Sequence, residues 1–295
     1  MLSPEGLRRR ARMVEKIRDF FQSRNYIEVT TPVRLPELIP EAEIAPLASE
    51  NRFLQTSPEL CMKRVLARGS SRIFQICPCF RKGEQGRLHQ EEFTMLEWYH
   101  TGWSYLELME ECEQMIRQVA ERKRLCRAGK ETSLSGPWQR LTVNDAFTRY
   151  AGISAEEAIR TGMFDQLLVE KVEPELGWKK PVFLYKYPVQ MASLARPEAE
   201  NPELAERFEL YIGGIELANG FSELTDPVVQ RHRFEEELRK IEQYGGTCRM
   251  PEKFLAALEE LPDCAGIALG IDRLFMLLWE RDSIAEVLPF SEADL

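Results

Sequence analysis

The stretch AGIALGIDRL, residues 265–274, joins a run of alternating small residues to an apolar segment that Arg273 opens. A dinucleotide-binding loop would read G-x-G-x-x-G, whereas this stretch reads G-x-A-x-G. A P-loop is excluded as well, because no Gly-Lys-Ser/Thr follows. The stretch instead predicts a strand whose missing side chains leave room for a flat ligand. A helix capped by Asp272 follows, with Arg273 at its N-terminus.

Composition excludes several classes of protein. The chain has 295 residues, of which 44% are hydrophobic, enough for one large core or two modest ones. No apolar run could span a bilayer and the start lacks a signal peptide's apolar region, so the cytosol is the expected compartment and no membrane partner is expected. Seven irregularly spaced cysteines favour reduced thiols. A net charge of −9 argues against an extended nucleic-acid-binding face, so the basic run 8–12 is interpreted as the solvated side of a helix.

Helices are predicted where apolar periodicity follows a cap signal. The first begins at Ser3–Pro4, and its apolar residues, spaced by three or four positions, predict one buried face: Leu7, Ala11, Val14, Ile17 and Phe21. A Ser104/Glu107 capping box opens another helix, expected to reach about Leu125. Proline-based starts predict three more, at Ser57–Pro58, Pro227 and Pro251.

Strand-like runs lie between these helices. RIFQICPCF and EFTMLEWY are joined by a charged loop, and RFELYIGGIELANGF predicts a hairpin that turns at Gly213–Gly214. Residues from about 130 to 178 are polar and are interpreted as a helical insertion. The order of elements predicts an α+β fold, a mostly antiparallel sheet flanked by helices, in a single domain over residues 1–295.

Charged residues interrupt the predicted strands. Alternation places Glu97 on the same face as Phe93, Met95 and Tyr99, and acidic or amide groups recur in the apolar hairpin at Glu216, Asn219 and Glu223. Buried carboxylates are costly unless they meet cations or donors. For one of them, the simpler interpretation is a salt bridge with an arginine: Arg81, Arg87 or Arg273. For all of them together, the alternative is a site that holds an amine, magnesium and a polyphosphate.

The quoted residues resemble a known family. YIEVTTP, FRKGEQGRLHQEEFTMLEW and AGIALGIDRL look like motifs 1, 2 and 3 of class II aminoacyl-tRNA synthetases. GIELANGFSELTD resembles the lysyl branch, and the match covers nearly the whole chain. The resemblance implies the class II catalytic core, in which the glycine-rich strand forms the floor of the ATP and amino-acid pocket.

The resemblance narrows further because a lysyl-tRNA synthetase carries an anticodon-binding OB-fold of roughly a hundred residues before motif 1. Here motif 1 begins almost at Met1, so no anticodon-binding domain and no tRNA substrate are expected. The chain therefore resembles the stand-alone elongation factor P (R)-β-lysine ligases. Such enzymes adenylate (R)-β-lysine with ATP and magnesium and transfer it to a lysine side chain of elongation factor P. A homodimer built on motif 1 is implied. A tRNA-charging enzyme and a non-catalytic amino-acid or ATP sensor remain the alternatives.

The resemblance also implies roles for individual residues. Arg81, Arg273 and Glu216 would be catalytic, with both arginines bracing the phosphates. The ATP site would further include Glu84, His89 near the β/γ end and Phe93 stacking on adenine. Magnesium would be held by Glu216 and Glu223. The amino acid would be bound by Ser57, Glu59, Glu97, Tyr99, Asn219, Glu223 and Ala268.

The sequence departs from the family pattern at two positions, and each departure leads to a prediction. Motif 2 usually reads Arg-x-Glu, but here Glu84 is displaced by one residue, and Gly83 is expected to bend the loop so that Glu84 recovers the position. Ala268 stands where lysyl-tRNA synthetases have glycine, and the ligases share this alanine. An added methyl group in a pocket can discriminate by about 1–3 kcal/mol, so Ala268 indicates a β-amino acid substrate.

Overall fold

A computed structural model describes residues 1–291 and residue 294. Its helices are α1 (Pro4–Gln22), α2 (Glu59–Leu66), α3 (Tyr105–Ala120), α4 (Val143–Tyr150), α5 (Ala155–Arg160), α6 (Phe164–Leu167), α7 (Pro227–Gln243), α8 (Glu252–Leu258) and α9 (Ile271–Leu278). Its strands are β1 (Ile27–Glu28), β2 (Arg34–Leu35), β3 (Ala48–Ser49), β4 (Arg52–Leu54), β5 (Arg72–Phe80), β6 (Glu92–Thr101), β7 (Arg124–Arg127), β8 (Lys130–Ser133), β9 (Gln139–Thr142), β10 (Val182–Pro188), β11 (Leu204–Ile212), β12 (Ile215–Ser222) and β13 (Cys264–Gly270).

The main sheet has eight strands in the order β1-β5-β6-β13-β12-β11-β10-β9. Only the two outermost pairs, β1 with β5 and β10 with β9, are parallel. The strands between them pair antiparallel. This architecture confirms the predicted α+β class with a mostly antiparallel sheet.

The register of the three central strands defines rows across one face. Ala268 on β13 pairs with Asn219 on β12 and with Glu97 on β6. Towards one end of β13, Gly266 pairs with Tyr99, and towards the other end Gly270 pairs with Met95. At about 3.3 Å per residue, Gly266 and Gly270 lie about 13 Å apart along the strand.

The opposite face of the sheet is covered by α1, α3 and α9, which form the largest apolar core with it. Phe21 of α1 stacks on Phe74 of β5, with ring centroids 4.9 Å apart, and Trp98 of β6 is fully buried beside them. This layer leaves the other face of the central strands free to form a site.

Helix α1 begins as predicted, because the Ser3 hydroxyl accepts a hydrogen bond from the amide of Gly6 at 3.2 Å. Its buried face is nevertheless rotated by about one residue from the predicted one and consists of Gly6, Met13, Ile17, Phe20 and Phe21. The prediction was wrong for Leu7, which is 46% exposed, and for Ala11, which is exposed. Gly6 faces inward because a β-carbon there would lie 2.5 Å from the Trp279 ring.

The predicted N-termini of three other helices are confirmed. The Ser104/Glu107 capping box opens α3, and α7 and α8 begin at or beside their predicted residues. Helix α3 ends at Ala120 rather than near Leu125, because Glu121 adopts left-handed backbone with φ 50° and Leu125 already belongs to β7.

The segment from 130 to 178 is not helical throughout, which corrects the prediction. Its first residues form β8 and β9, and β9 is the edge strand of the main sheet beside β10. Helices α4 to α6 follow and bury a smaller core of their own, in which Phe147 stacks on Phe164. The short run 139–142 was missed because backbone pairing with a distant strand leaves little pattern in four residues.

Within residues 1–291 and at 294, no helix combines the length and the apolar character needed to cross a membrane.

Candidate active site

A cavity of about 590 Å³ opens on the face of β6, β12 and β13 that the core leaves free. Its lining includes all but one of the residues predicted for the site: Ser57, Glu59, Arg81, Glu84, His89, Phe93, Glu97, Tyr99, Glu216, Asn219, Ala268 and Arg273. The exception is Glu223, whose Oε1 lies beside the Tyr99 ring, 2.5 Å from where a β-carbon of Gly266 would be. Residues from distant parts of the sequence therefore meet in one place, while their individual roles stay predictions.

Arg273 organises one end of this cavity from the first turn of α9. Its Nη1 donates to the carbonyl oxygen of Glu216 at 2.8 Å and lies 3.4 Å from that residue's carboxylate. Its Nε donates to the carbonyl of Leu88 at 3.2 Å, and its Nη2 contacts Nε2 of His89 at 2.5 Å. Burial and the Arg273 charge lower the pKa of His89, which keeps that ring neutral and able to accept.

Asp272 does not cap α9, contrary to the prediction. The helix starts two residues earlier than predicted, at Ile271, and Gly270 at its N-cap provides no side-chain cap. The buried Asp272 carboxylate accepts from the backbone amide of Thr94 at 2.7 Å and pairs with Arg10 of α1 at 2.6 Å. Asp272 therefore fastens the helix that carries Arg273 to both β6 and α1.

Arg81 adds a second cation near the loop that joins β5 to β6. Its guanidinium lies 5.2 Å from the ring centroid of Phe93 and 3.7 Å from the carboxylate of Glu84. The predicted bend is present, since Gly83 has φ 81° and returns Glu84 towards Arg81. In the described residues the buried Nε of Arg81 has no hydrogen-bond partner, so it is a donor free to receive an anionic ligand.

The other end of the cavity is acidic. Glu97 is only 2% exposed and its carboxylate accepts from the Tyr99 hydroxyl at 2.9 Å. Burial, reinforced by the charge of Glu59, raises the pKa of Glu97 well above its usual range. The same causes raise the pKa of Glu41 to about 7. Carboxylates held this close favour a cationic ligand, because each additional positive charge relieves their repulsion.

Comparison with known proteins identifies the family. The sequence model of the family "tRNA synthetases class II (D, K and N)" matches residues 3–294. The chain belongs to this class II synthetase family. Among curated relatives, the "Elongation factor P--(R)-beta-lysine ligase" of Pectobacterium atrosepticum is 39% identical, over 98% of this chain and 95% of its own. The enzymes of the same name from Proteus mirabilis and Klebsiella pneumoniae are each 38% identical, over 97% of this chain and 94% of theirs.

Lys63 is a site residue that the sequence analysis missed. Its ammonium is 1% exposed and pairs with Glu59 at 2.5 Å and with Glu223. The spacing of four residues between Glu59 and Lys63 on a helix was the available signal. The contact with Glu223 could not be read from spacing, because it joins two distant segments.

The pairing with Lys63 corrects the magnesium prediction for this class II site. Glu223 lies at the acidic end, just after β12, whereas Glu216 contacts Arg273, and the seven residues from one to the other correspond to about 23 Å of extended chain. One ion cannot be shared by carboxylates so placed. In the part of the chain that is described, no group of three or more His, Cys, Asp or Glu side chains could hold a metal by itself. Magnesium needs only one or two carboxylates when phosphates supply its other ligands, and Glu216 fits that role.

Glu209 is a second missed residue on the same face as Glu216. It pairs across the hairpin with Asn219, and two pairs further along, after a register shift, Tyr211 pairs with Glu216. Its buried carboxylate accepts from Tyr187 and Tyr211 at 2.5 and 2.6 Å and pairs with Arg207 at 2.5 Å. Burial raises the pKa of Glu209 despite Arg207, and Glu216 adds to that shift.

The glycine in the floor serves a different purpose from the predicted one. A β-carbon at Gly266 would lie 2.2 and 2.4 Å from ring atoms of Tyr99 and 2.5 Å from Oε1 of Glu223. The space that Gly266 leaves is therefore filled by the protein, and the predicted room for a flat ligand is absent there. At Gly270 the nearest atoms would be those of Arg273, at 3.8 Å.

Proposed function

We propose that the chain is an ATP-dependent ligase that adenylates (R)-β-lysine and transfers it to a lysine side chain of elongation factor P. The observation that carries this proposal is one cavity with a cationic end at Arg273 and an acidic end at Glu59 and Glu97. A polyphosphate fits the first end and an amino acid with two ammonium groups fits the second. The relatives that match nearly the whole chain are named as ligases of (R)-β-lysine to elongation factor P. The reaction would take place in the cytoplasm, where elongation factors work.

The geometry suits adenylation because that step joins two anions. The substrate carboxylate attacks the α-phosphate of ATP, pyrophosphate leaves, and catalysis consists mainly of positioning and charge neutralisation. Arg273 and the unpartnered Nε of Arg81 would bind the phosphates. Glu59 and Glu97 would receive the ammonium groups, with the Tyr99 hydroxyl holding Glu97 in place.

Magnesium, when bound with ATP, would neutralise part of the phosphate charge. Glu216 would be its protein ligand, and Glu209 is the next carboxylate on that face. In the second step, an uncharged lysine amine of the partner attacks the carbonyl of the aminoacyl adenylate. An amide bond forms, AMP leaves and the amine loses its proton, so no covalent intermediate with the enzyme is needed.

The proposal is tested by ATP–pyrophosphate exchange with (R)-β-lysine and α-lysine side by side, followed by transfer to elongation factor P. We expect exchange with (R)-β-lysine to dominate and the factor to be modified on lysine. Exchange with α-lysine alone, followed by charging of tRNA, would establish the tRNA-charging alternative. Binding of both ligands without any exchange would establish the sensor.

Ala268→Gly should relax the choice of amino acid. The Ala268 methyl group lies in the floor between Asn219 and Glu97. Removing it is expected to let α-lysine compete, at a cost of at most about 1–3 kcal/mol in transition-state binding for (R)-β-lysine. The measurement is kcat/KM of adenylation for both amino acids.

Ala265→Gly is the matched control for this change. Ala265 lies on the same strand but packs in the core on the opposite face. It should lose stability, by roughly 0.5–1 kcal/mol from backbone entropy alone, without a change in preference. An unchanged preference in the Ala268 variant too would assign that methyl group to strand packing.

A homodimer is the expected assembly, with α1 and the following segment in an isologous interface. Ile17 and Phe21 cannot contribute to it directly, because both are fully buried within the chain. Leu7 and Ile27, 46% and 58% exposed, remain available. Light scattering at micromolar concentration should give twice the mass of one chain. A monomeric mass would contradict this prediction.

A further inference from the structure

Lys63 is a buried cation that the adenylation mechanism does not use. It lies on α2, outside the lining of the cavity, with its ammonium 5.3 Å from the ring centroid of Phe221 and 5.8 Å from that of Phe254. A charge in such surroundings is costly unless it is paired. Its partners, Glu59 and Glu223, come from two different elements at the acidic end.

The ion pairs of Lys63 with Glu59 and Glu223 influence the pKa values of ionisable groups throughout the acidic end. Both carboxylates raise the pKa of Lys63 well above its usual value, against the effect of burial, so this side chain stays charged. Burial and Glu59 raise the pKa of Glu223, and Lys63 is the group that opposes this shift. Other ionisable groups coupled to Lys63 or to its two partners come from the loop before β3 and from β6 and β13: Glu41, Glu97, Tyr99 and Cys264.

We propose that Lys63 is a positioning residue whose two ion pairs hold the carboxylates of Glu59 and Glu223 in place for the amino groups of the substrate. This inference rests on the proposed function, because it concerns the same amino-acid site. Lys63 does not touch the substrate. It acts through Glu59, which lines the cavity, and through Glu223, whose Oε1 lies beside the Tyr99 ring, 2.5 Å from where a β-carbon of Gly266 would be.

The charge of Lys63 predicts a distinctive pH dependence. Without it the pKa of Glu223 rises further, so the carboxylate takes up a proton as the pH falls through the new value. A neutral carboxyl binds an ammonium group poorly, so the loss of affinity is greatest at low pH and is relieved as the pH rises. The site for ATP lies at the other end of the cavity, and its KM should change little.

The experiment compares Lys63→Met, which keeps the length but not the charge, with Lys63→Arg, which keeps the charge. An opposite charge at this distance shifts a carboxylate pKa by about 1–3 units, so we expect KM for the amino acid to rise about ten-fold or more at pH 7 in Lys63→Met. This rise should diminish towards pH 9. Lys63→Arg should stay within about three-fold of the wild-type KM across that range, because it retains the cation.

Lys186→Met is the matched control, since Lys186 also pairs with a partly buried carboxylate, Glu198 at 3.1 Å, but lies outside the cavity lining. It should leave KM and its pH profile unchanged.

If Lys63→Met does not fold, the double variant Lys63→Met/Glu223→Gln removes both members of the pair. The double variant should regain folding and retain a raised KM. Its KM should depend less on pH than that of Lys63→Met, because no buried carboxylate is left without its cation at position 223.

A folded Lys63→Met or double variant with the wild-type KM at pH 7 would overturn the inference. A raised KM that is flat with pH in Lys63→Met, or equal in Lys63→Arg, would overturn it as well, because shape rather than charge would then be responsible. Each variant is compared with the wild type for whichever amino acid the wild type activates. Failure of the proposed function appears separately, as absence of wild-type exchange with (R)-β-lysine.

Discussion

Arg273→Ala is expected to lower kcat/KM for adenylation by about 100- to 1,000-fold, the usual cost of removing one preorganised group that stabilises transition-state charge. Its guanidinium already donates to Glu216 and Leu88, so it is held in place before any phosphate arrives. The fold should survive, because α9 is anchored by the pair of Asp272 with Arg10 and by its own buried apolar face. The measurement is ATP–pyrophosphate exchange, with circular dichroism to verify folding.

The control for this prediction is Arg231→Ala. Arg231 pairs with Glu252 on the surface at 2.5 Å, outside the cavity lining. Its loss should leave exchange unchanged, since exposed ion pairs contribute little. Near-normal exchange in the Arg273 variant would remove Arg273 from the catalytic machinery.

Gly266→Ala is expected to disrupt the acidic end of the cavity. After Arg273→Ala, it should have the largest effect on activity. The new methyl group would lie 2.2 Å from the Tyr99 ring, and Tyr99 is only 3% exposed, so the ring cannot move into solvent without rearrangement. Such overpacking costs about 1–3 kcal/mol of the free energy of unfolding. Displacement of Tyr99 also breaks its hydrogen bond to Glu97, so KM for the amino acid should rise at least about ten-fold.

Gly270→Ala is the matched control on the same strand. Its β-carbon would meet only Arg273, at an ordinary distance of 3.8 Å, and φ of −75° suits alanine. Thermal unfolding and KM for the amino acid should both stay near the wild type. A Gly266 variant with the same melting temperature and KM as this control would show that the contact with Tyr99 relaxes at no cost.

The features that sequence predicted correctly depend on neighbours along the chain. The Ser104/Glu107 capping box and the turn at Gly213–Gly214 are formed within a few residues, and both glycines have the positive φ that such a turn requires. Alternation in β6 placed Glu97 and Tyr99 on one face for the same reason, because side-chain direction in a strand has a period of two. The roles of most residues predicted for the site came instead from the resemblance of the quoted motifs to class II synthetases.

The features that sequence missed depend on contacts between distant segments. Asp272 was expected to cap its own helix, but Arg10, more than 250 positions away, and the amide of Thr94 take its carboxylate. Glu223 was assigned to magnesium, yet Lys63 of α2 neutralises it at the other end of the cavity. In each case the partner is a cation or donor whose position along the chain gives no sign of the contact.

Local patterns thus predicted several of the longer helices and strands and the side chains that share one face of β6, because hydrogen bonding and side-chain direction there repeat over a few residues. Tertiary packing alone decided which charges meet. Buried carboxylates take the nearest cation or donor, and that neighbour is set by how helices and strands assemble. The same packing decided the use of Gly266, whose missing side chain makes room for Tyr99 and not for a ligand.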